Sequence, residues 1–185
     1  MPTSQSKPHP LLAVGTHLHT ACLASSLILH FPTLVGSPSS TLLNTLPILA
    51  LLQSGYLLLV HAPPSTPKKR RKPATTISSL VTPLLLSLAF SLIVGAPILY
   101  LLLVLFGAPV TTHFSETALT GAHMALLACF PLVFQLGVDG VKWREVVACQ
   151  ATVDEAFLGA VGACVGAWAG AVPIPLGRVS AMWRG

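Results

Sequence analysis

Charge is what this sequence has least of. Charged side chains make up 8% of its 185 residues and apolar ones 53%, where an average soluble domain carries roughly 25% charged residues. The apolar residues fall in long blocks without amphipathic alternation, which excludes an ordinary water-soluble fold and leaves lipid as their solvent. Carboxylates are scarcer still: Glu116, Asp139, Glu145, Asp154 and Glu155 are all there are. A two-metal hydrolase or phosphotransferase centre needs several carboxylates and histidines converging on one side of the membrane, and these residues are too scattered to supply it. The cysteines, Cys22, Cys129, Cys149 and Cys164, show no C-x-x-C spacing, so free thiols in apolar surroundings are expected, with neither a zinc site nor a disulfide framework. There is no G-x-S-x-G, no P-loop and no H-E-x-x-H, so no catalytic motif and no cofactor is implied. Half of the ten basic residues lie in the run Lys68 to Lys72, without the interleaved aromatics of a nucleic-acid surface, so nucleic acid is not an expected partner.

What the sequence does contain is apolar length. A helix crosses the hydrocarbon core with about 20 residues, and five segments reach that far or close to it: Leu11 to Phe31, Thr41 to Val60, Leu80 to Phe106, Thr117 to Val138 and Ala156 to Val172. The expected fold is all-α, a polytopic membrane helical bundle forming a single domain over residues 1–185. The first segment holds His17, His19 and His30 but reads as a span, because Lys7 is a thin basic region and the apolar stretch is too long and interrupted for a cleaved signal. The third, about 40 Å of helix at 1.5 Å per residue, requires tilt or a bend, and Pro97 is the expected kink. Pro47 and Pro131 are expected to bend the second and fourth.

Lysine and arginine beside a span stay on the cytosolic side. Placing the basic linker, residues 61–79, in the cytosol puts Lys7, Lys142 and Arg144 there too. The loops Pro32 to Ser40 and Gly107 to Glu116, which hold no lysine or arginine, then face the lumen. In the fifth segment Gly162, Gly166 and Gly170 recur every four residues beside Ala163, Ala167 and Ala171. Small residues at that spacing let another helix approach closely, either from the same chain or from a partner protein. Thr152-Val153-Asp154-Glu155 reads as a capping box opening that helix. His17 and His19, two residues apart, point to different sides of a helix and make a poor metal pair, whereas His123 within a span is expected to hydrogen-bond to another helix. Two rivals to a structural role remain: a small transporter or lipid-handling protein lined by proline-bent helices, and an enzyme using His113 and Glu116 as an acid/base pair.

From Phe106-Gly107-Ala108-Pro109 and Thr111-Thr112-His113 onward, the sequence resembles the PIG-F family of glycosylphosphatidylinositol (GPI) anchor biosynthesis proteins, particularly its fungal members. The resemblance continues through Ala122-His123-Met124, PLVF at Pro131 to Phe134, GVD at Gly137 to Asp139, KWRE at Lys142 to Glu145, DEAF at Asp154 to Phe157 and GAWAGAVPIPL at Gly166 to Leu176. It implies a multi-pass endoplasmic reticulum protein that stabilises, without catalysis, the ethanolamine phosphate transferases that add phosphoethanolamine to mannoses of the anchor precursor. The implied partners are those catalytic subunits and membrane lipid. The matched positions of interest are Gly107, Pro109, His113, His123, Trp143, Arg144, Asp154 and Glu155, and the expected packing positions are Gly162, Gly166, Trp168, Gly170, Pro173 and Pro175. In the family P-I-P-L precedes an acidic segment and a sixth span. Here an atypical tail, residues 177–185, follows instead, and its Val179-Ser180 is what a eukaryotic intron start, GTAAGT or GTGAGT, encodes in frame. Read-through into an intron is expected, with a genuine short form as the alternative.

Overall fold

The computed structural model describes residues 10–61, 77–137, 139–148, 150 and 155–171, and these are almost entirely helical, with no strand among them. The run Lys68 to Lys72, Thr152 of the expected capping box, Asp154, Pro173, Pro175 and the tail lie outside the described residues. The helices are α1 (Pro10–Gly36), α2 (Pro38–His61), α3 (Ile77–Phe90), α4 (Ala96–Leu105), α5 (Phe114–Met124), α6 (Phe130–Leu136), α7 (Gly140–Val147) and α8 (Glu155–Ala171). Among the described residues four helical stretches are long and apolar enough to cross a membrane: Val14–Gly36, Pro38–His61, Leu80–Leu105 and Phe114–Leu136. The fifth expected span, α8, has 17 described residues and so measures about 26 Å.

The expected loop between the first two spans shrinks to Ser37. Helix α1 continues through Pro32, and the turn closes with Ser37 N–H donating to Thr33 O at 2.8 Å and Thr41 N–H to Ser37 O at 3.1 Å. Pro38 then opens α2, where its missing N–H costs nothing. The two helices form a tight antiparallel hairpin in which His19 stacks on Tyr56, ring centroids 4.2 Å apart, and Gly15 faces Leu59.

Proline shapes the next two spans in a way more specific than a kink. Between α3 and α4 the chain forms a π turn, Ser91–Gly95, and between α5 and α6 a second, Ala125–Cys129. In each, the following amide reaches back five residues: Ala96 N–H to Ser91 O, Phe130 N–H to Ala125 O. Pro97 and Pro131 each stand six residues beyond the first residue of the turn. A proline lacks an N–H and its ring presses on the carbonyl four residues back, and the wider π turn accommodates both defects. Pro47 leaves α2 unbroken as an α-helix.

These π turns pack against each other near the middle of the bundle. A Cβ built on Gly95 would lie 3.3 Å from both Cβ and Sγ of Cys129. Leu126 and Phe130, fully buried, form the core with Leu57 and Leu84. A second cluster joins Ala128 and Leu132 to Ala156 and Ala160 of α8. Two helices end on glycines with positive φ, Gly107 at 98° and Gly137 at 58°. At the first, Ala108 N–H bonds to Leu103 O and Gly107 N–H to Val104 O, both at 2.9 Å, the Schellman pattern that demands a left-handed residue. Gly107 therefore has a backbone reason to be glycine. The loop expected from Asp139 to Glu155 contains α7, capped where Asp139 Oδ1 accepts from Val141 N–H at 3.1 Å.

Candidate functional site

Polar side chains gather where α2 and α5 lie side by side. Near their amino ends Ser39 donates its hydroxyl to Glu116 Oε1 at 2.7 Å, and His113 Nδ1 lies 3.8 Å from Glu116 Oε2. Thr117 is buried beneath and its hydroxyl sits 3.2 Å from Pro109 O and 3.0 Å from His113 O. About two turns further along, Thr45 Oγ1 is 3.1 Å from His123 Nε2. The offsets of 77 and 78 residues between these partners are nearly equal, so α2 and α5 run parallel.

Hydrogen-bond logic fixes the His123 tautomer. Leu119 O, 2.8 Å from Nδ1, can only accept, so Nδ1 carries the hydrogen. The neutral ring then offers a lone pair at Nε2 to the Thr45 hydroxyl. Both nitrogens are engaged, one within α5 and one across to α2, so His123 joins two helices as expected. Interhelical bonds of this kind stabilise by about 0.6–2 kcal/mol each in a membrane.

Of the sequence candidates, Pro109, His113 and Glu116 come together through Thr117 and Ser39. The contact order is serine, carboxylate, histidine, so the imidazole has no hydrogen bond to the hydroxyl that a base would have to activate. The cluster clamps the start of α2 to the start of α5. Trp143 and Arg144 lie elsewhere, on α7, where Trp143 Nε1 donates to Gly137 O at 2.9 Å and packs against the second core cluster, while Arg144 is exposed. Glu155 begins α8. Among the described residues no three of His, Cys, Asp and Glu are grouped to share a metal ion. Ser39, Thr45 and Thr117 were not singled out by sequence reasoning; the available signal was that an acid and a histidine in apolar helices need hydroxyl partners at equal depth.

The fifth segment divides its small residues between two edges. Ala156, Ala160 and Ala163 face the bundle. Among the described residues nothing lies within 4 Å of a Cβ built on Gly159, Gly162 or Gly166, and Trp168 is 65% exposed. Gly170 lies within α8 near its end. Beside this edge runs an apolar groove of about 530 Å³ between α4, α5 and α8, lined by Leu99, Leu103, Phe106, Met124, Val165 and Trp168.

The chain is similar to glycosylphosphatidylinositol anchor biosynthesis protein 11 of Aspergillus fumigatus, 39% identical over 210 residues that cover 91% of this chain and 71% of the relative. The protein of the same name from Neurospora crassa is 42% identical over 183 residues, covering 93% of this chain and 66% of the relative. A PIGF/3-ketodihydrosphingosine reductase fusion protein of Schizosaccharomyces pombe is 28% identical over 146 residues, covering 77% of this chain and 26% of the relative. No solved structure matches. The model of the family described as GPI biosynthesis protein family Pig-F matches residues 18–178, nearly the whole membrane bundle from α1 through α8, and the chain belongs to that family.

Proposed function

We propose that this chain is a non-catalytic, stabilising subunit of the ethanolamine phosphate transferases that modify mannoses of the GPI anchor precursor in the endoplasmic reticulum membrane. The observation that carries the reading is the open glycine edge of α8. Where glycines serve contacts inside the chain, at Gly95 and Gly121, neighbours stand within 3.4 Å of a built Cβ; at Gly162 and Gly166 none of the described residues does. An edge that small, beside an exposed tryptophan and an apolar groove, admits the close approach of another membrane helix. Family membership supports a place in anchor biosynthesis, and the serine–carboxylate–histidine order supports a structural use of the polar cluster.

Affinity purification of the chain from detergent-solubilised membranes, with partners identified by mass spectrometry, tests the proposal. A transferase catalytic subunit is expected to be enriched; its absence above a control membrane protein of similar abundance would refute the reading. The double variant His113→Ala, Glu116→Ala is expected to leave phosphoethanolamine transfer per recovered complex within about threefold. Loss of a general acid or base costs about 10²- to 10⁴-fold, and a drop of that size in an intact complex would assign the pair to catalysis.

The proposed orientation has Lys68 to Lys72 in the cytosol and His113 in the lumen, and the asymmetry of basic residues supports it. With Cys149→Ser as background, an impermeant thiol reagent added to sealed microsomes should modify Ser65→Cys at once and Ser115→Cys only after permeabilisation. The reverse order would invert the topology.

A further inference from the structure

Helix α7 sits at a membrane boundary by its place in the chain: the fourth span ends at Leu136 and the next apolar stretch opens with α8 at Glu155. Packing fixes its depth. Trp143 Nε1 donates to Gly137 O at 2.9 Å, and Trp143 and Val146 rest with Leu136 on the second core cluster. The helix is therefore folded against the end of the span, at the level where tryptophan favours the membrane–water interface.

Viewed down its axis, α7 has three sides. Neighbours on a helix surface stand three and four positions apart. Trp143 and Val146 make the side against the bundle. Lys142 and Glu145 make a charged side, on which Lys142 Nζ lies 3.7 Å from Asp139 Oδ2. The third side is apolar except at its centre, where Arg144 is surrounded by Gly140, Val141, Val147 and Ala148, all of them exposed. Val141 is 59% exposed and Val147 81%. A charged side suits water and a bare valine pair suits lipid, so Arg144 is a cation on the lipid-facing side of an interfacial helix. Among the described residues it makes no ion pair, and no carboxylate occupies any of the four positions around it. Glu145, next in sequence, is turned about 100° away onto the charged side. Helices α2 and α6 end on this same face of the bundle, where the His61 ring meets that of Phe134 edge-on with centroids 5.0 Å apart. The linker carrying the basic run Lys68 to Lys72 follows His61 in sequence and so departs from this face.

From this arrangement we infer that the outer side of α7 seats an anionic phospholipid, with the Arg144 guanidinium on its phosphate and its acyl chains against Val141 and Val147. A planar guanidinium donates two parallel N–H bonds to phosphate oxygens, and its methylene stem lies along apolar surface while the charge stays at the level of the head groups. Charge selects the occupant. A choline lipid brings its own cation, which finds no acidic partner on this side, whereas an anionic lipid brings the negative charge that Arg144 lacks.

Photoreactive, clickable phosphatidylglycerol, whose head group holds no cation, and a phosphatidylcholine with the same diazirine-bearing chain serve as probes. Each is doped into phosphatidylcholine nanodiscs holding the full-length protein, and adducts are mapped by peptide mass spectrometry. Residues 137–150 should be labelled about fivefold more by phosphatidylglycerol, the ratio expected of one basic residue beside anionic lipid. Arg144→Gln should bring the two probes to equal labelling of that segment, whereas Lys142→Gln, on the charged side, should leave the preference unchanged. Variants are compared at equal, monodisperse recovery. Equal labelling of the segment by the two probes in the unmodified protein would overturn the inference whether or not a variant folds. A preference that survives in well-folded Arg144→Gln, or disappears in well-folded Lys142→Gln, would overturn it as well.

Discussion

Gly121→Leu is expected to prevent the protein from accumulating. A Cβ built on Gly121 would lie 3.1 Å from Ala96 O and 3.1 Å from Tyr100 N, both backbone atoms of α4 that cannot turn aside as a side chain can. The whole of a leucine must be fitted where even one carbon is crowded, so α4 and α5 have to separate. Parting them also disturbs the neighbouring Tyr100–Phe114 edge contact, 5.6 Å between centroids. Overpacking costs typically about 1–3 kcal/mol and occasionally more, and Gly121→Leu belongs at or beyond the upper end. Native proteins hold only about 5–15 kcal/mol in all. Steady-state level in cells and the thermal midpoint of a fluorescent fusion in detergent read the effect, with Gly121→Ala falling between the two. A Gly121→Leu protein with the parent's level and midpoint would mean that α4 and α5 do not meet as described.

Gly166→Leu should give the opposite phenotype: a protein that accumulates normally and loses the partner proposed above. Among the described residues nothing lies within 4 Å of a Cβ at Gly166, so the side chain is expected to enter lipid and leave their packing untouched. A helix docked against that edge would be pushed out by several ångströms, forfeiting contacts that depend on close approach. Recovery of the co-purifying catalytic subunit should fall about tenfold or more, which corresponds to about 1.4 kcal/mol, and Gly166→Ala should fall less. Normal partner recovery in Gly166→Leu would remove α8 from the interface. The contrast between the two glycines separates a fold made inside the chain from a surface offered outside it.

The spans were legible in the sequence because membrane crossing is a property of apolar length, which neighbours do not have to supply. Leu80 to Phe106 and Thr117 to Val138 were read to within three residues at each end. Loop boundaries were less so, since a run such as Pro32 to Ser40 looks irregular by composition while its threonine and serine can hydrogen-bond within a helix, as Thr33 Oγ1 does to His30 O at 2.8 Å. Pro97 and Pro131 announced a defect in the helix, but whether it becomes a kink or a π turn is decided by the surrounding helices. The glycine pattern of α8 was visible, whereas the side of the helix that meets the bundle was not, because both edges carry small residues, alanine on one and glycine on the other. Ser39 and Thr45 were hidden for a different reason. Each meets its partner 77 or 78 residues away, and no local period encodes such a distance.

That separation also dictates an order of assembly. When α2 leaves the ribosome, α5 does not yet exist; at about 5–20 residues per second its partner residues follow roughly 4 to 15 s later. During that interval Ser39 and Thr45 lack the α5 side chains that they meet in the finished fold. The Thr45 hydroxyl nevertheless has the carbonyl four residues earlier, Thr41 O, as the Thr41 hydroxyl has Ser37 O and the Nδ1 of His30 has Ser26 O. The first hairpin can thus reside in lipid with these three donor hydrogens already bonded. Arrival of the fourth span then offers the Thr45 hydroxyl, until then held by a backbone carbonyl, the His123 ring as its partner, so that this one bond is handed over and at no stage left unmade.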